Sequence, residues 1–492
     1  MKKLVMLIIT LGFVMILGAC QPGAPAAPAA GGPAADGALE PLTITMILAY
    51  DGIEFPQPGN DAQRAIEEFT NTRLEITAFP GATLHELLPT MIAADDMPMV
   101  VGFGGSQLIR GFMIDAMISG AFWDVTDHWR NFENLSQLNP AIFDTFKMNG
   151  RNFGLPRERG LARDAVGIRY DWVRELGLEL PETVYDVFDL LIAFTESDIG
   201  RFGTANNPID RFNIWLGGPN QWKFEDGEMI RQHFTPEFQR AMGMVRELFE
   251  RGAIHPEFAI HSRSQFEALW TEGDAGMYFN VNNFAQFAMA EDDADIWVKG
   301  VFSSGAGTFS LGGSGHNGVV AFCTSATPDE VTFLRIMQFF DDLGSPEMSN
   351  LLALGFEGIH YHVVDGVAVP VIEMLDDLNQ MIYMPYAATK AVLWPDARTM
   401  PVERPYLQAR ILEVLEENAP YAVMNPVTGL ISPTFNERGG DLEQMLSDAV
   451  IQYIMGVISF DEYLGVLETW RQRGGDQISQ EFAQAYMERM AR

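Results

Sequence analysis

Cysteine is all but absent: the 492 residues contain two, Cys20 and Cys323, so no disulfide framework can hold the fold together. Positive charge is scarce as well. Lys and Arg number 32 against 66 Asp and Glu, a formal charge of -34, and nucleic acid is excluded as a partner because binding it needs a basic footprint. The same deficit argues against the folded part resting directly on an anionic membrane. The excess acid keeps a secreted protein soluble, or reflects a salty habitat. Catalytic signatures are missing too: the chain has no nucleophile elbow, zincin histidine pair, phosphate loop, dinucleotide fingerprint or EF-hand. Asp95-Asp96, Asp292-Asp293 and Asp341-Asp342 are neighbours along the chain, and such pairs do not face each other across a substrate. Of the eight histidines only His360 and His362 lie close together, and that spacing does not make a metal site. No catalytic residue, metal or cofactor is expected.

What is there begins at the N-terminus. Met1-Lys2-Lys3 precedes an apolar run from Leu4 to Leu17, and Leu17-Gly18-Ala19-Cys20 reads as a lipobox. The run is short for a membrane span, and small residues before the cysteine suit a signal peptidase. Residues 1–19 are therefore expected to be removed, leaving a diacylated Cys20. Residues 20–40 are nearly all Pro, Ala and Gly, a composition that builds no core and acts as a tether. The expected location is the outer face of the cell membrane, held by lipid alone: extracellular in a Gram-positive cell, on the periplasmic side in a Gram-negative one. No second apolar run of spanning length follows. Cys323, in the apolar run Val319–Cys323, is left without an intrachain partner and reads as a small core residue.

The 450 or so residues after the tether exceed one ordinary core, which predicts two lobes. Strands are expected at Leu42–Leu48, Leu74–Phe79 and Met99–Phe103, with helices over Asp61–Asn71 and Leu84–Ala94, a parallel α/β beginning. Later helix punctuation is plain. Thr235-Pro236 opens a helix that Gly252 closes, and Thr327-Pro328-Asp329-Glu330 opens one that Gly344 closes. Leu442, Met445, Leu446, Ala449, Val450, Tyr453 and Ile454 make a helical stripe, and Ser459 with Glu462 caps the next helix.

Aromatic and amide side chains gather near glycines. Trp215 and Trp222 bracket Leu216–Gln221, and Tyr278–Phe284 sets Asn280, Asn282 and Asn283 among aromatics. Such mixtures suit sugars, whose C–H faces stack on rings while their hydroxyls need planar donors and acceptors. Each of these aromatics can equally be core.

One block resembles a known family. Arg169-Tyr170-Asp171-Trp172-Val173-Arg174-Glu175-Leu176-Gly177-Leu178-Glu179-Leu180-Pro181-Glu182-Thr183, running into the apolar stretch Val184–Phe194, is similar to the family 1 extracellular solute-binding lipoproteins, receptors of sugar-type ABC importers. Gly217–Trp222, Asp226-Gly227, Gly355–Tyr361, Tyr453–Gly456 and Asp461–Tyr463 follow in the order of the longer branch common in Gram-positive bacteria. From its residues alone, the first block is a helix stop at Gly177, a breaker at Pro181 and a capping box at Thr183 and Asp186.

The resemblance implies an α/β fold: a type II, periplasmic-binding-protein-like clamp of two lobes, each a mixed or parallel sheet flanked by helices, with a hinge between them. The first lobe is expected to comprise residues 41–156 and 300–365, the second 157–299 and 366–492. The chain would cross between them near Gly154–Asp164 and Val298–Gly313. Ligand contacts are expected on loops facing the gap: Asp51, Ser106, Arg157, Arg159, Trp215, Trp222, Asn280, Asn282, His316, Asn317 and Glu357. The implied function is capture of a mono- or oligosaccharide by a monomer that delivers it to an ABC permease pair with its ATPase. A surface-anchored glycan-degrading enzyme and a sugar sensor feeding a membrane kinase remain alternatives. Arg151, Arg157, Arg159, Arg163, Arg169 and Arg174 crowd the first crossing; they either pair with surface acids or grip the carboxylate of a uronate.

Overall fold

The computed structural model describes residues 40–49, 57–104, 111–197, 199–279, 289, 294–375, 377–378 and 398–491, and the folded unit is Pro41–Arg492. The expected parallel α/β start is present. Strands β1 (Leu42–Ala49), β2 (Thr72–Phe79) and β3 (Val100–Phe103) pair in parallel, with β1 in the middle. The intervening helix Asp61–Thr70 is capped by the Asn60 side chain and closed by Asn71 in the left-handed region, as an orphan amide and a chain reversal require. Two later strands complete this sheet in the order β2-β1-β3-β13-β4: β4 (Leu155–Glu158) and β13 (His316–Phe322), the latter antiparallel to both neighbours. Around it a first core forms from residues such as Val100, Phe103, Trp129, Phe143, Phe322 and Phe340. Cys323 is buried with a free thiol in this core, and burial pushes its pKa up to about 12, so it is an inert core side chain as its apolar run foretold.

The chain then enters a second sheet, ordered β10-β5-β9-β6, from β5 (Val166–Arg169), β6 (Phe202–Thr204), β9 (Ala275–Phe279) and β10 (Ile296–Lys299). Its core contains Trp172, Phe194, Phe212, Trp215 and Phe279. The capping box at Thr183 and Asp186 starts the helix Val184–Glu196, whose buried face supplies Phe194. The helix Pro236–Glu250 starts at the Thr235 cap, and Gly252 beyond it has φ +77°. Between them stands the hairpin β7 (Trp222–Glu225) and β8 (Glu228–Arg231), turning at Asp226-Gly227, both with positive φ. Strands β11 (Phe302–Ser304) and β12 (Gly307–Leu311) pair with each other, and β12 with β16 (Ala422–Val423). Phe302, Phe309 and Leu311 pack into the second core, so the return to the first sheet comes at His316 rather than at residue 300.

After the helices Glu330–Leu343 and Pro346–Leu354, a small hairpin of β14 (Tyr361–Val364) and β15 (Val367–Pro370) packs Tyr361 and Ala368 against Leu354. The cap of the first of these helices lies two residues beyond the Thr327 expected to supply it. Asp329 takes the cap because its carboxylate accepts from both Thr332 N–H (2.9 Å) and Thr332 Oγ1 (2.8 Å), while Thr327 is wholly buried. The helix Tyr406–Asn418 packs Ile411 and Val414 beside β10. Finally Pro433–Ile454, Phe460–Trp470 and Asp476–Met490 lay Leu446, Tyr463, Trp470 and Phe482 on the second core. Among the described residues no helix is long and apolar enough to cross a membrane.

Candidate functional site

Strand direction places the candidate site. In the first sheet β1, β3 and β4 run the same way and β13 against them, so Ala49, Gly104, Arg157–Arg159 and the start of β13 share one edge. In the second, β6, β9 and β10 run together against β5, so Thr204, Phe279, Lys299 and Val166 share one edge. Residues 159–165 link these two carboxyl edges directly. Ligands of open α/β sheets bind at such edges.

At the first edge the backbone is pinched. Gly318 has φ +103°, and a Cβ there would lie 1.9 Å from Phe103 O; the register of β13 against β4 shifts between His316 and Val319. The pinch turns His316 onto the edge. Its Nδ1 accepts from Gly318 N–H at 3.1 Å, its ring meets Phe146 edge-on at 5.3 Å, and burial pushes its pKa down to about 4. A neutral ring buried this way stabilises the fold fully above pH 6.5, the ordinary pKa, and that contribution is lost as pH falls towards 4. Between those limits His316 should cost the native state on the order of 3 kcal/mol. Urea unfolding at pH 7, 5.5 and 4.5 should show a steeper loss for the wild type than for His316→Asn. Parallel pH profiles would show that His316 carries none of the slope.

On the second edge lies a cavity of about 630 Å³ lined by the polar side chains of Asn206, Asn207, Asp210, Asn213, Asn220, Gln221, Arg231 and Glu443 and by Phe238, Phe258 and Phe266. This size suits a small ligand. Many of the amides are already engaged. Asn206 pairs through both side-chain atoms with the backbone of Phe279, at 2.8 and 3.0 Å, extending the sheet. Asn213 Nδ2 donates to Pro219 O at 2.8 Å, and Asn220 Nδ2 to Gly312 O and Val423 O at 2.7 and 2.9 Å. Asn207 Oδ1 accepts from Ile209 N–H at 3.0 Å, just before the helix Ile209–Trp215. Asn213 Oδ1 is buried with no hydrogen-bond partner among the described residues. Arg231 is paired with Glu443 and donates to Gln221 O at 3.0 Å. Beside it, burial and the Arg231 charge hold His233 well below its ordinary pKa, hence neutral.

A second cavity of about 440 Å³ lies between the two cores, with Phe146, Met148 and His316 on one side and Trp222, Arg231 and Phe482 on the other. The crossing beside it is locked. Arg211 grips Asp164 with Nε and Nη2 at 3.0–3.3 Å, the Asn418 amide donates to the carbonyls of Ala162 and Asp164, and Gly313 N–H donates to Leu161 O at 2.6 Å.

Of the residues expected at the site, Arg157, Arg159, His316 and Asn317 stand together on the first edge. Glu357 is exposed in the turn before β14, away from both cavities. The two tryptophans are core side chains, contrary to a stacking role. Trp215 is 1% exposed among Phe212, Phe279 and Phe302, and Trp222 is 3% exposed against Trp470 and Phe482, with the Arg231 guanidinium over its ring. Asp51, Ser106, Asn280, Asn282 and Cys20 lie outside the described residues. Asn206, Asn207, Asp210 and the Asp164–Arg211 pair went unnoticed in the sequence; Asn206-Asn207 after a short strand was the available signal. Elsewhere His255, Glu257 and His261 bring potential metal-ligating atoms within 4.8 Å of one another, a grouping hidden by the six-residue span.

Two α/β sheets joined at their carboxyl edges, with cavities beside the joint, have the two-lobed fold of solute-binding proteins. Solved relatives agree: the alginate-binding protein AlgQ2 aligns over 91% of this chain and 98% of its own at a TM-score of 0.66 and 18% identity. In sequence, the polygalacturonan/rhamnogalacturonan-binding protein YtcQ of Bacillus subtilis (strain 168) is 28% identical over 456 residues, 87% of this chain and 89% of its own. Lipoprotein LipO of the same organism is 25% identical over 473 residues, 90% and 92% of the two chains. No protein-family model matches the chain. In sequence and fold together the chain is similar to the family 1 extracellular solute-binding proteins, the resemblance that the 169–194 block carried.

Proposed function

We propose that this chain captures an oligosaccharide between its two lobes and delivers it to an ABC importer, performing no covalent chemistry itself. The observation that carries the reading is the 630 Å³ cavity on the carboxyl edge of the second sheet, lined by amides, carboxylates and phenylalanines. That lining matches a pyranose, with planar groups for hydroxyls and apolar rings for its C–H face. Asn207, Asp210 and Gln221 on one edge and Arg157, Arg159, His316 and Asn317 on the other are the contacts we assign, with Asp51, Ser106, Asn280 and Asn282 following β1, β3 and β9 in sequence. Contacts made by both lobes only when closed would favour the closed form, which the permease would read. The similarity to YtcQ over most of both chains supports a polygalacturonan- or rhamnogalacturonan-like fragment as the ligand.

A thermal-shift panel of purified glycans tests this. A true ligand at 100 times its Kd stabilises the native state by about 2.7 kcal/mol, and incubation should release no new reducing ends. A panel of pectic, hemicellulosic and fructan oligosaccharides that leaves the melting temperature unmoved would count against sugar capture, and released reducing ends would make the chain an enzyme.

The lipobox and tether support anchoring through Cys20 at the outer face of the membrane. Cys20→Ser should move the protein from the membrane pellet to the soluble fraction of its host with its melting temperature unchanged. Continued quantitative sedimentation with membranes would defeat the anchor.

A further inference from the structure

The turn between the helices Pro236–Glu250 and Arg263–Thr271 carries two histidines and a glutamate that sugar capture does not employ. Both ends of the turn are fixed. At its start Thr204 N–H donates to Ala253 O at 3.0 Å and Ile254 bridges to Thr204, at the carboxyl end of β6. At its finish Ser262 and Gln265 form a reciprocal capping box. Within it Phe258 N–H donates to His255 O and Ile260 N–H to Glu257 O, each at 3.0 Å. The backbone that bears His255, Glu257 and His261 is therefore held in place by bonds of its own.

The turn also walls the larger cavity, which Phe258, Ala259 and Phe266 line. His255, Glu257 and His261 bring one ligating atom each within 4.8 Å of one another. Packing holds both rings: their centroids are 4.3 Å apart, with His255 against Phe202 at 4.9 Å and His261 against Phe266 at 5.5 Å. His261 Nε2 lies 3.8 Å from Glu257 Oε2, too far for a hydrogen bond. It is close to the roughly 3.3 Å between two ligands that each stand about 2.0 Å from a tetrahedral ion. His261 Nδ1 has no hydrogen-bond partner among the described residues, so no neighbour commits the ring proton to Nε2, and that lone pair is free for an ion. His255 Nδ1 accepts from Glu257 N–H at 3.1 Å. A metal displaces this bond whichever nitrogen it takes, since coordination at Nδ1 uses the lone pair and coordination at Nε2 moves the ring proton to Nδ1. One neutral hydrogen bond at an exposed residue is small beside a metal bond.

We propose that His255, Glu257 and His261 bind one transition-metal ion of the zinc class, and that the ion pins the turn that walls the cavity. Two imidazoles and a carboxylate, with water completing a tetrahedron, suit zinc, whereas calcium and magnesium call for oxygen ligands throughout. Arg201, whose charge reaches His255, is itself paired with Asp274 at 3.3 Å, and the net charge of -34 favours the approach of a cation. An ion joining residues 255 and 261 closes the turn on itself and holds Phe258 in the cavity wall. The site does not depend on what the cavity binds.

Calorimetry with zinc chloride at pH 7, on the tag-free full chain after treatment with a chelator, tests the site. Zinc should bind one ion per chain more tightly than about 10 µM, and calcium chloride at least about 100-fold more weakly. His255→Ala and His261→Ala should each weaken zinc binding at least about 10-fold and Glu257→Gln at least about 3-fold, while His362→Ala, exposed in β14, should leave it unchanged. Glu257→Gln alters one exposed side chain, so it decides even where a histidine variant fails to fold. Hydrogen exchange at the Phe258 and Ile260 amides should slow at least about 3-fold with zinc in the wild type and not in Glu257→Gln. Zinc binding weaker than about 10 µM, calcium binding as tightly as zinc, or an affinity undiminished in all three variants, the mark of an adventitious ion only, overturns the site. Zinc that binds through these residues without slowing exchange overturns the pinning of the cavity wall.

Discussion

Trp222→Ala should lower the stability of the folded chain by about 3–5 kcal/mol, the usual cost of a buried tryptophan truncation, while leaving the affinity for the captured glycan within about 2-fold. The indole is 3% exposed. Its ring lies 6.2 Å from Trp470 and 5.5 Å from Phe482 between centroids, and Arg231 sits over it at 5.2 Å. Three elements meet there: the hairpin strand that begins at Trp222 and the two last helices. Removing the ring opens a void that these elements cannot all close, and it takes the cation–π contact from a buried Arg231 that retains Glu443. Urea unfolding measures the loss and calorimetry the affinity. A fall in affinity of 10-fold or more with stability unchanged would return Trp222 to the ligand.

The same residue shows where the sequence was readable and where it stopped. Trp215 and Trp222 near glycines and amides satisfied the composition of a sugar site, but composition does not say which way a ring turns. Gly217 and Gly218 are there because the chain doubles back tightly: a Cβ on Gly218 would lie 1.9 Å from Asn213 Oδ1. The turn buries both indoles instead of presenting them. Local signals did better. Thr235, Ser459 and the Thr183–Asp186 box all cap helices where expected, because a cap is decided within four residues. Thr327 failed because tertiary burial claimed it, leaving Asp329 the nearest group free to cap. The cavity amides lay beyond reach for another reason. Asn206, Asp210 and Asn220 meet Glu443, more than 200 residues further along the chain, only once the second sheet and the helix Pro433–Ile454 are packed.

Asp164→Ala should be the most damaging single change at the crossing, costing about 3–5 kcal/mol, because it strands a buried guanidinium. Asp164 and Arg211 side chains are 5% and 13% exposed, joined at 3.0 Å. Arginine cannot escape the loss by shedding its proton. The lost carboxylate also loosens the backbone between the sheets, since the Asp164 carbonyl that receives Asn418 loses its anchored side chain. Asp164→Asn keeps the shape and one acceptor and should cost roughly half as much. The pair is expected to matter through its breakage rather than its presence: Asp164→Leu combined with Arg211→Met should be at least 1–2 kcal/mol milder than Asp164→Ala alone, since no charge is left stranded. Urea unfolding of the three proteins at pH 7 measures each term. A cost below about 1 kcal/mol for Asp164→Ala would mean that water reaches Arg211 and solvates it. Equal costs for the single and the double change would mean that packing, not charge, holds the link between the two carboxyl edges.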